Sequence, residues 1–171
     1  GYKGIYRANL FLEKIDEIED ASEAFRTRTK AEAKFLRAKF YFDLVRLFGN
    51  IPLIDHTLGA SEYYTVEQVG PDQIYPFIVS DLEAAIADLP SSVGSNQLGR
   101  VTKGAAQALL ARALLFENDA NSMSQVASLC ESVIQSGEYS LLTSFADLWT
   151  ADGEWSSESV FEITYSENSA S

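Results

Sequence analysis

Few residues of this sequence are of the types that carry covalent or metal chemistry. The 171-residue chain has one histidine, His56, and one cysteine, Cys130. A single histidine cannot form a paired-histidine zinc motif, and the sequence has neither a Gly-x-Ser-x-Gly nucleophile motif nor a phosphate-binding glycine loop. Cys130 lies on the apolar stripe of a predicted helix, where a buried and unreactive thiol is expected. The sequence therefore predicts a protein that is not an enzyme and that needs no metal or cofactor.

Two adjacent aromatic residues, Tyr63 and Tyr64, are the best candidates for ligand binding. They lie among polar residues in a predicted loop over residues 55–64. Aromatic faces stack on sugar rings, so the pair favours glycan binding, although packing of a ring beneath the loop is the alternative. Adjacent loop residues point in different directions. We therefore expect one ring at most to stack on a sugar while the other anchors the loop.

The charge of the chain limits its partners. Thirteen Lys and Arg residues face 25 Asp and Glu residues, which gives a net charge of -12. Such a field repels a phosphate backbone, so nucleic acid is excluded as a partner. Residues 113–171 contain no Lys or Arg and ten acidic residues, a pattern typical of a solvated acidic face or of a surface for a cationic partner. The carboxylates are numerous enough for a glycosidase pair, but their predicted positions are on helix exteriors.

The sequence gives no direct sign of membrane insertion or export. No apolar run approaches the roughly 18–20 residues of a membrane span. The first residues lack the basic and then apolar plan of a signal peptide. Any export signal or lipid anchor would therefore lie outside this chain.

The apolar periodicity predicts a mainly α fold. The predicted helix over 29–48 begins at a capping box formed by Thr29 and Glu32, and it ends at Gly49 before Pro52. Because this helix is apolar around most of its girth, we expect it to be central, with neighbours on two faces. The periodicity predicts four other helices, over 2–18, 71–88, 102–118 and 122–136.

The remaining segments are predicted to be short or irregular. Residues 102–136 have about the length of one tetratricopeptide helix pair. Short strands are predicted at 51–54 and 160–165, and a short helix at 144–149. Residues 91–99, with the sequence SSVGSNQLG, form the best candidate for a flexible loop. The fold class is thus tetratricopeptide-like helix pairs, an α-α superhelix with minor short strands.

Residues 31–54, AEAKFLRAKFYFDLVRLFGNIPLI, resemble the hallmark helix of the SusD/RagB family. Four further stretches follow the order found in that family: IYRANLFLEKI (5–15), IVSDLEAAIADLP (78–90), GRVTKGAAQALLARALL (99–115) and ESVFEITYS (158–166). The five stretches together span almost the whole chain. The chain is therefore identified by resemblance as SusD-like.

The resemblance implies a function that the residues alone do not give. Members of the family are non-catalytic lipoproteins on the extracellular face of the outer membrane. They capture glycans or oligosaccharides and deliver them to a SusC-like TonB-dependent transporter. Because members are much longer, residues 1–171 are expected to be one helical segment of a longer chain, with most ligand-binding residues and the lipid anchor outside it. The alternative is a tetratricopeptide-like scaffold for protein–protein interaction that binds a peptide.

Overall fold

The structure is a computed structural model that describes residues 1–163, and helices make up 64% of that range. The five α-helices within it are α1 (Tyr2–Lys14), α2 (Glu23–Phe48), α3 (Pro71–Asp88), α4 (Lys103–Glu117) and α5 (Met123–Gln135). Strand β1 (Ile51–Pro52) pairs antiparallel with β2 (Gln68–Val69). The predicted mainly α fold is confirmed. None of the helices in residues 1–163 combines the length and the apolar character that crossing a membrane requires.

Each α-helix packs against the next one along the chain. Helices α4 and α5 form the predicted helix pair, joined by a short turn that begins at Asn118 in the left-handed conformation. The alanines of α4 allow close approach, since Ala106 and Ala113 are fully buried between its neighbours. The chain therefore forms a row of helix pairs.

Helix α2 begins six residues earlier than predicted. Ser22 is its N-cap, because the Ser22 hydroxyl accepts a hydrogen bond from the Phe25 amide at 3.2 Å. Thr29 instead donates its hydroxyl proton to the Phe25 carbonyl inside the helix, and Glu32 pairs with arginine side chains. The predicted capping box was wrong because an equally good cap residue, Ser22, lies about two turns upstream of Thr29.

The prediction that α2 is the central helix is confirmed. It packs against α1 and α3, and it buries seven apolar side chains: Ala31, Ala33, Phe35, Ala38, Tyr41, Phe42 and Val45. Two apolar residues near its end are nevertheless exposed, Leu47 by 74% and Phe48 by 69%. The end of α2 therefore extends beyond the helices that cover its middle.

Glycine and proline mark the ends of elements as predicted. Gly49 ends α2 with a positive φ of 70°, a conformation that favours glycine. Pro71 occupies the first turn of α3, and the helix continues unbroken past Pro76 to Asp88. The backbone then becomes extended at Leu89, before Pro90.

The region after α4 differs most from the prediction. Cys130 is exposed and not buried as predicted. The short helix is confirmed as a 3₁₀ turn over Phe145–Trp149. Residues 160–163 do not form the predicted strand, and residues 164 and 165 lie outside the described part of the chain.

Candidate functional site

A buried polar network joins α1, α2 and α3 beneath the predicted tyrosine loop. The Arg37 guanidinium on α2 donates to both carboxylate oxygens of Asp81 on α3, at 2.7 and 2.8 Å. It also donates to the Asn9 side chain at 2.8 Å and to the Asp55 carbonyl at 3.1 Å. Arg37, Asp81 and Asn9 are all at least 92% buried. Arg37 therefore reaches both an acid and a backbone carbonyl between the helices.

The segment that leaves β1 is held by side chains of α1 and α2. The Tyr41 hydroxyl donates to the Ile54 carbonyl at 2.8 Å and accepts from the Ile54 amide at 2.7 Å. Asn9 donates to the carbonyls of Ile54 and His56, both at 3.0 Å. Tyr2 donates to the Pro52 carbonyl at 2.8 Å. The root of the loop is therefore fixed by five hydrogen bonds to side chains of two packed helices.

Burial keeps the two phenols of this root protonated. Desolvation raises the pKa of Tyr2 to about 12, and it raises the pKa of Tyr41 further above its ordinary value. Both hydroxyls therefore stay neutral and able to donate across the physiological range.

Carboxylates hold the exposed part of the loop. Glu13 of α1 accepts from the amide and hydroxyl of Thr57, at 2.7 and 2.6 Å, and these bonds lower the pKa of Glu13. Glu62 accepts from the Gly59 amide at 2.6 Å, which lowers the pKa of Glu62. The His56 ring contacts Asp55 at 2.8 Å and Glu62 at 3.3 Å, and the two carboxylates raise its pKa. Across residues 1–163, no group of three or more such side chains is arranged to hold a metal ion.

A cleft of about 480 Å³ opens between this loop and the first turn of α1. Tyr63, which is 61% exposed, forms one wall, and Tyr2 and Tyr6 form part of the other. His56 and Lys3 add polar groups to an otherwise apolar lining. This volume and mixture are typical of a small-ligand site.

The structure separates the two predicted tyrosines. Tyr63 lines the cleft, whereas Tyr64 does not line it and is 92% exposed. The expectation that one of the two rings would anchor the loop was wrong, because both rings are exposed. The loop is instead anchored by hydrogen bonds from its amides to the carboxylates of Glu13 and Glu62.

Sequence reasoning missed the α1 side of the cleft. Tyr2 and Tyr6 are four residues apart on a helix, a spacing that places both rings on one face. That spacing was the available signal, but nothing in the sequence shows that the loop after α2 returns to this face.

Comparison with known proteins gives the family. The profile of a SusD-like family described as "starch-binding associating with outer membrane" matches residues 1–115. Among curated relatives, the starch-binding protein SusD of Bacteroides thetaiotaomicron is 30% identical over 93% of this chain and 28% of its own length.

Solved structures of glycan-binding proteins are also similar to this chain. Surface glycan-binding protein A from Bacteroides uniformis matches with a TM-score of 0.90 and 35% identity, over 96% of this chain and 36% of that one. Surface glycan-binding protein A from Bacteroides thetaiotaomicron, in complex with laminarihexaose, matches with a TM-score of 0.86 and 32% identity, over 96% of this chain and 34% of that one. The chain thus spans about a third of the length of these relatives. On the match to most of its length and on its fold, this chain belongs to the SusD-like (SusD/RagB) family.

Proposed function

We propose that this chain is part of a non-catalytic protein that captures glycans at the cell surface and delivers them to a SusC-like TonB-dependent transporter of the outer membrane. The proposal includes a position on the extracellular face and a lipid anchor outside residues 1–171. It also takes these residues as one helical segment of a longer chain. Membership of the SusD-like family supports the role as a whole.

The names of the relatives supply the class of ligand. One is named for starch and another was solved with laminarihexaose, so both α- and β-linked glucans are represented among them. This chain is similar to each at about the same level of identity. Starch oligosaccharides and laminarihexaose are therefore the first glycans to test.

The cleft beside Tyr63 is the observation that carries a direct role in binding. Its tyrosine walls offer faces for sugar rings, and Lys3 and His56 can hydrogen-bond to sugar hydroxyls. The root of the loop is fixed, so the cleft exists before a ligand arrives and little ordering cost opposes binding. Tyr64 extends into solvent beside it, where it can meet a longer glycan.

The experiment is calorimetric titration of the full-length protein with maltohexaose and with laminarihexaose. Tyr63→Ala should weaken binding of the preferred glycan by about tenfold, as expected for the loss of one stacked ring. Tyr64→Ala is the matched neighbour and should have a smaller effect, confined to longer glycans. Neither change should lower the melting temperature, because neither ring is buried.

Two results would contradict the proposal in different ways. If both variants bind glycan normally, the loop has a structural role only and the ligand contacts lie elsewhere. If the unmodified protein binds no glycan, the alternative of a scaffold for protein–protein interaction is favoured.

A further inference from the structure

A second cavity, of about 230 Å³, lies on another side of the molecule, between the 91–99 loop and the segment 155–161. It shares no lining residue with the cleft beside Tyr63. Ligand pockets for drug-sized molecules are typically about 300–1,000 Å³, so this cavity suits a single small ring.

Trp155 is held in place as a wall of this cavity. Its backbone has a positive φ of 56°, which is strained for an aromatic residue, and its amide donates to the Glu162 carboxylate at 2.8 Å. The ring packs on Gly99, where an added Cβ would lie only 3.2 Å from Cη2 of the indole. Gly99 itself has a φ of 90°. The indole is therefore fixed by both the loop and its own segment.

Several hydroxyl groups line the cavity, alongside apolar side chains such as Val160 and Phe161. The Ser156 hydroxyl is buried, and it has no hydrogen-bond partner in the described part of the chain. A buried polar atom of this kind carries a free-energy cost until a ligand or water bonds to it. Thr102 and Tyr139 hydroxyls contact each other at 2.8 Å, and Thr102 also caps α4, so both are held at fixed positions.

The charges around the cavity favour an uncharged ligand. Among the described residues of its lining, Arg100 is the only basic one, and it forms two hydrogen bonds to Glu32 at 2.9 and 2.8 Å. Glu138 adds a negative charge. An anionic sugar would find no unpaired cation here, whereas a neutral sugar needs only hydroxyl partners and an aromatic face.

We propose that this cavity is a second saccharide subsite, which takes one neutral pyranose unit against Trp155 with a hydroxyl of the sugar bonded to Ser156. The class of ligand rests on the proposed function, but the position of the subsite rests on the cavity alone. An aromatic wall with fixed hydroxyls supplies both types of contact that a neutral sugar makes.

The first experiment uses the fluorescence of the full-length protein, titrated with glucose and with laminarihexaose. Trp149 is the matched control, since it is 77% exposed and does not line the cavity. A saccharide-induced change in emission should persist in Trp149→Phe and be lost in Trp155→Phe. Loss of the change in both variants, or in Trp149→Phe alone, would overturn the subsite.

The second experiment separates a ligand contact from a structural one. Ser156→Ala removes a buried hydroxyl that has no partner within residues 1–163, so the melting temperature should stay equal or rise. If the hydroxyl bonds to a sugar, the same change should weaken glucose binding by up to about tenfold. Unchanged affinity overturns the subsite.

The two proposals fail in distinguishable ways. Calorimetric binding of glycan that is sensitive to Tyr63→Ala, without any response at Trp155, leaves the proposed function in place and removes the second subsite. If neither calorimetry nor fluorescence detects glycan binding, the proposed function and the second subsite are both contradicted.

Discussion

The first four helices and the region after them use similar residues in different ways. In residues 1–117, large apolar side chains such as Phe35, Tyr41 and Phe42 are at least 99% buried. In residues 118–163, Val126 is the one buried apolar side chain in the described structure. Four large apolar residues there are 72–85% exposed: Ile134, Leu141, Phe145 and Trp149. Burial is therefore decided by which elements surround a residue and not by its type.

The difference also places the two candidate sites in different settings. The Tyr63 cleft is built on helices that are packed on several sides, with a buried ion pair beneath it. The Trp155 cavity lies between the 91–99 loop and the irregular segment 155–161, and that segment is held by contacts such as the Ser140 amide donating to the Ser157 carbonyl at 2.9 Å. Mutation of neighbouring residues should therefore change the shape of the Tyr63 cleft less than the shape of the Trp155 cavity.

The largest expected difference is in the loss of unfolding free energy when two phenylalanines, Phe42 and Phe145, are each replaced by alanine. Phe42→Ala should lower the free energy of unfolding by about 3–5 kcal/mol, because it leaves a cavity where α2 packs against its neighbours. Phe145→Ala, at a ring that is 72% exposed, should cost about 1 kcal/mol or less, mainly from its edge contact with Trp149. Urea unfolding of both variants measures the contrast. Equal losses would show that the two regions are equally well packed.

The next effect tests the buried ion pair. Asp81→Ala should cost about 3 kcal/mol, since it leaves the Arg37 charge buried without its carboxylate. The cost should stay at the lower end of the range for such changes because Asn9 and the Asp55 carbonyl still accept from the guanidinium. The double variant Arg37→Met/Asp81→Leu should recover most of the loss. A double variant less stable than Asp81→Ala would mean that the network is needed as a whole.

Helix positions were predictable where local signals act alone. Proline and glycine limit the backbone whatever surrounds them: α3 begins at Pro71 and ends just before Leu89 and Pro90, and α2 ends at Gly49. Ser22 and Thr29 show the limit of such reasoning, because both are good cap residues and no local signal selects between them.

The candidate site was predictable only in part. Tyr63 and Tyr64 were recognisable as aromatic residues in a loop, and both are exposed. The partners of the loop, such as Asn9 and Glu13, are about 45 residues away in sequence, so no local pattern reveals them. The exposure of Cys130 could not be predicted from the sequence either, since an apolar stripe is buried only where another element covers it.

A smaller effect concerns the root of the loop. Tyr41→Phe removes the hydroxyl that bonds to both the amide and the carbonyl of Ile54. The carbonyl keeps its bond from Asn9, but the amide loses its partner, so the cost should be about 1–2 kcal/mol. Thermal melts measure the cost, and the amide exchange rate of Ile54 should rise. Tyr139→Phe is the control, because its hydroxyl contacts Thr102 and not this loop. An Ile54 amide that stays protected in Tyr41→Phe would show that the backbone holds the root without the side chain.

The smallest effect is a pH dependence of the exposed loop. Three carboxylates, those of Asp55, Glu62 and Glu13, face His56 and favour its charged form. The pKa of His56 is raised, so its stabilising contribution is complete below about 6.5, the ordinary value, and is lost as pH rises through the folded pKa. The pKa of Glu62 is lowered, so its contribution is present above its ordinary value and is lost as pH falls through the folded pKa.

The attraction between the His56 ring and the Glu62 carboxylate should therefore be strongest at pH values between these two transitions. Nuclear magnetic resonance of the Gly59 amide, which donates to Glu62, reports both transitions at a site that neither titrating group occupies. His56→Gln should remove the upper transition and keep the lower one, and Glu62→Gln should weaken the lower one and reduce the upward shift of the His56 pKa. The effect should shrink in high salt, since the groups are exposed and their attraction is screened. A His56 that titrates at or below its ordinary value would show that its carboxylate contacts do not persist in solution, and the cleft wall beside Tyr63 would then depend on Glu13 and Glu62 alone.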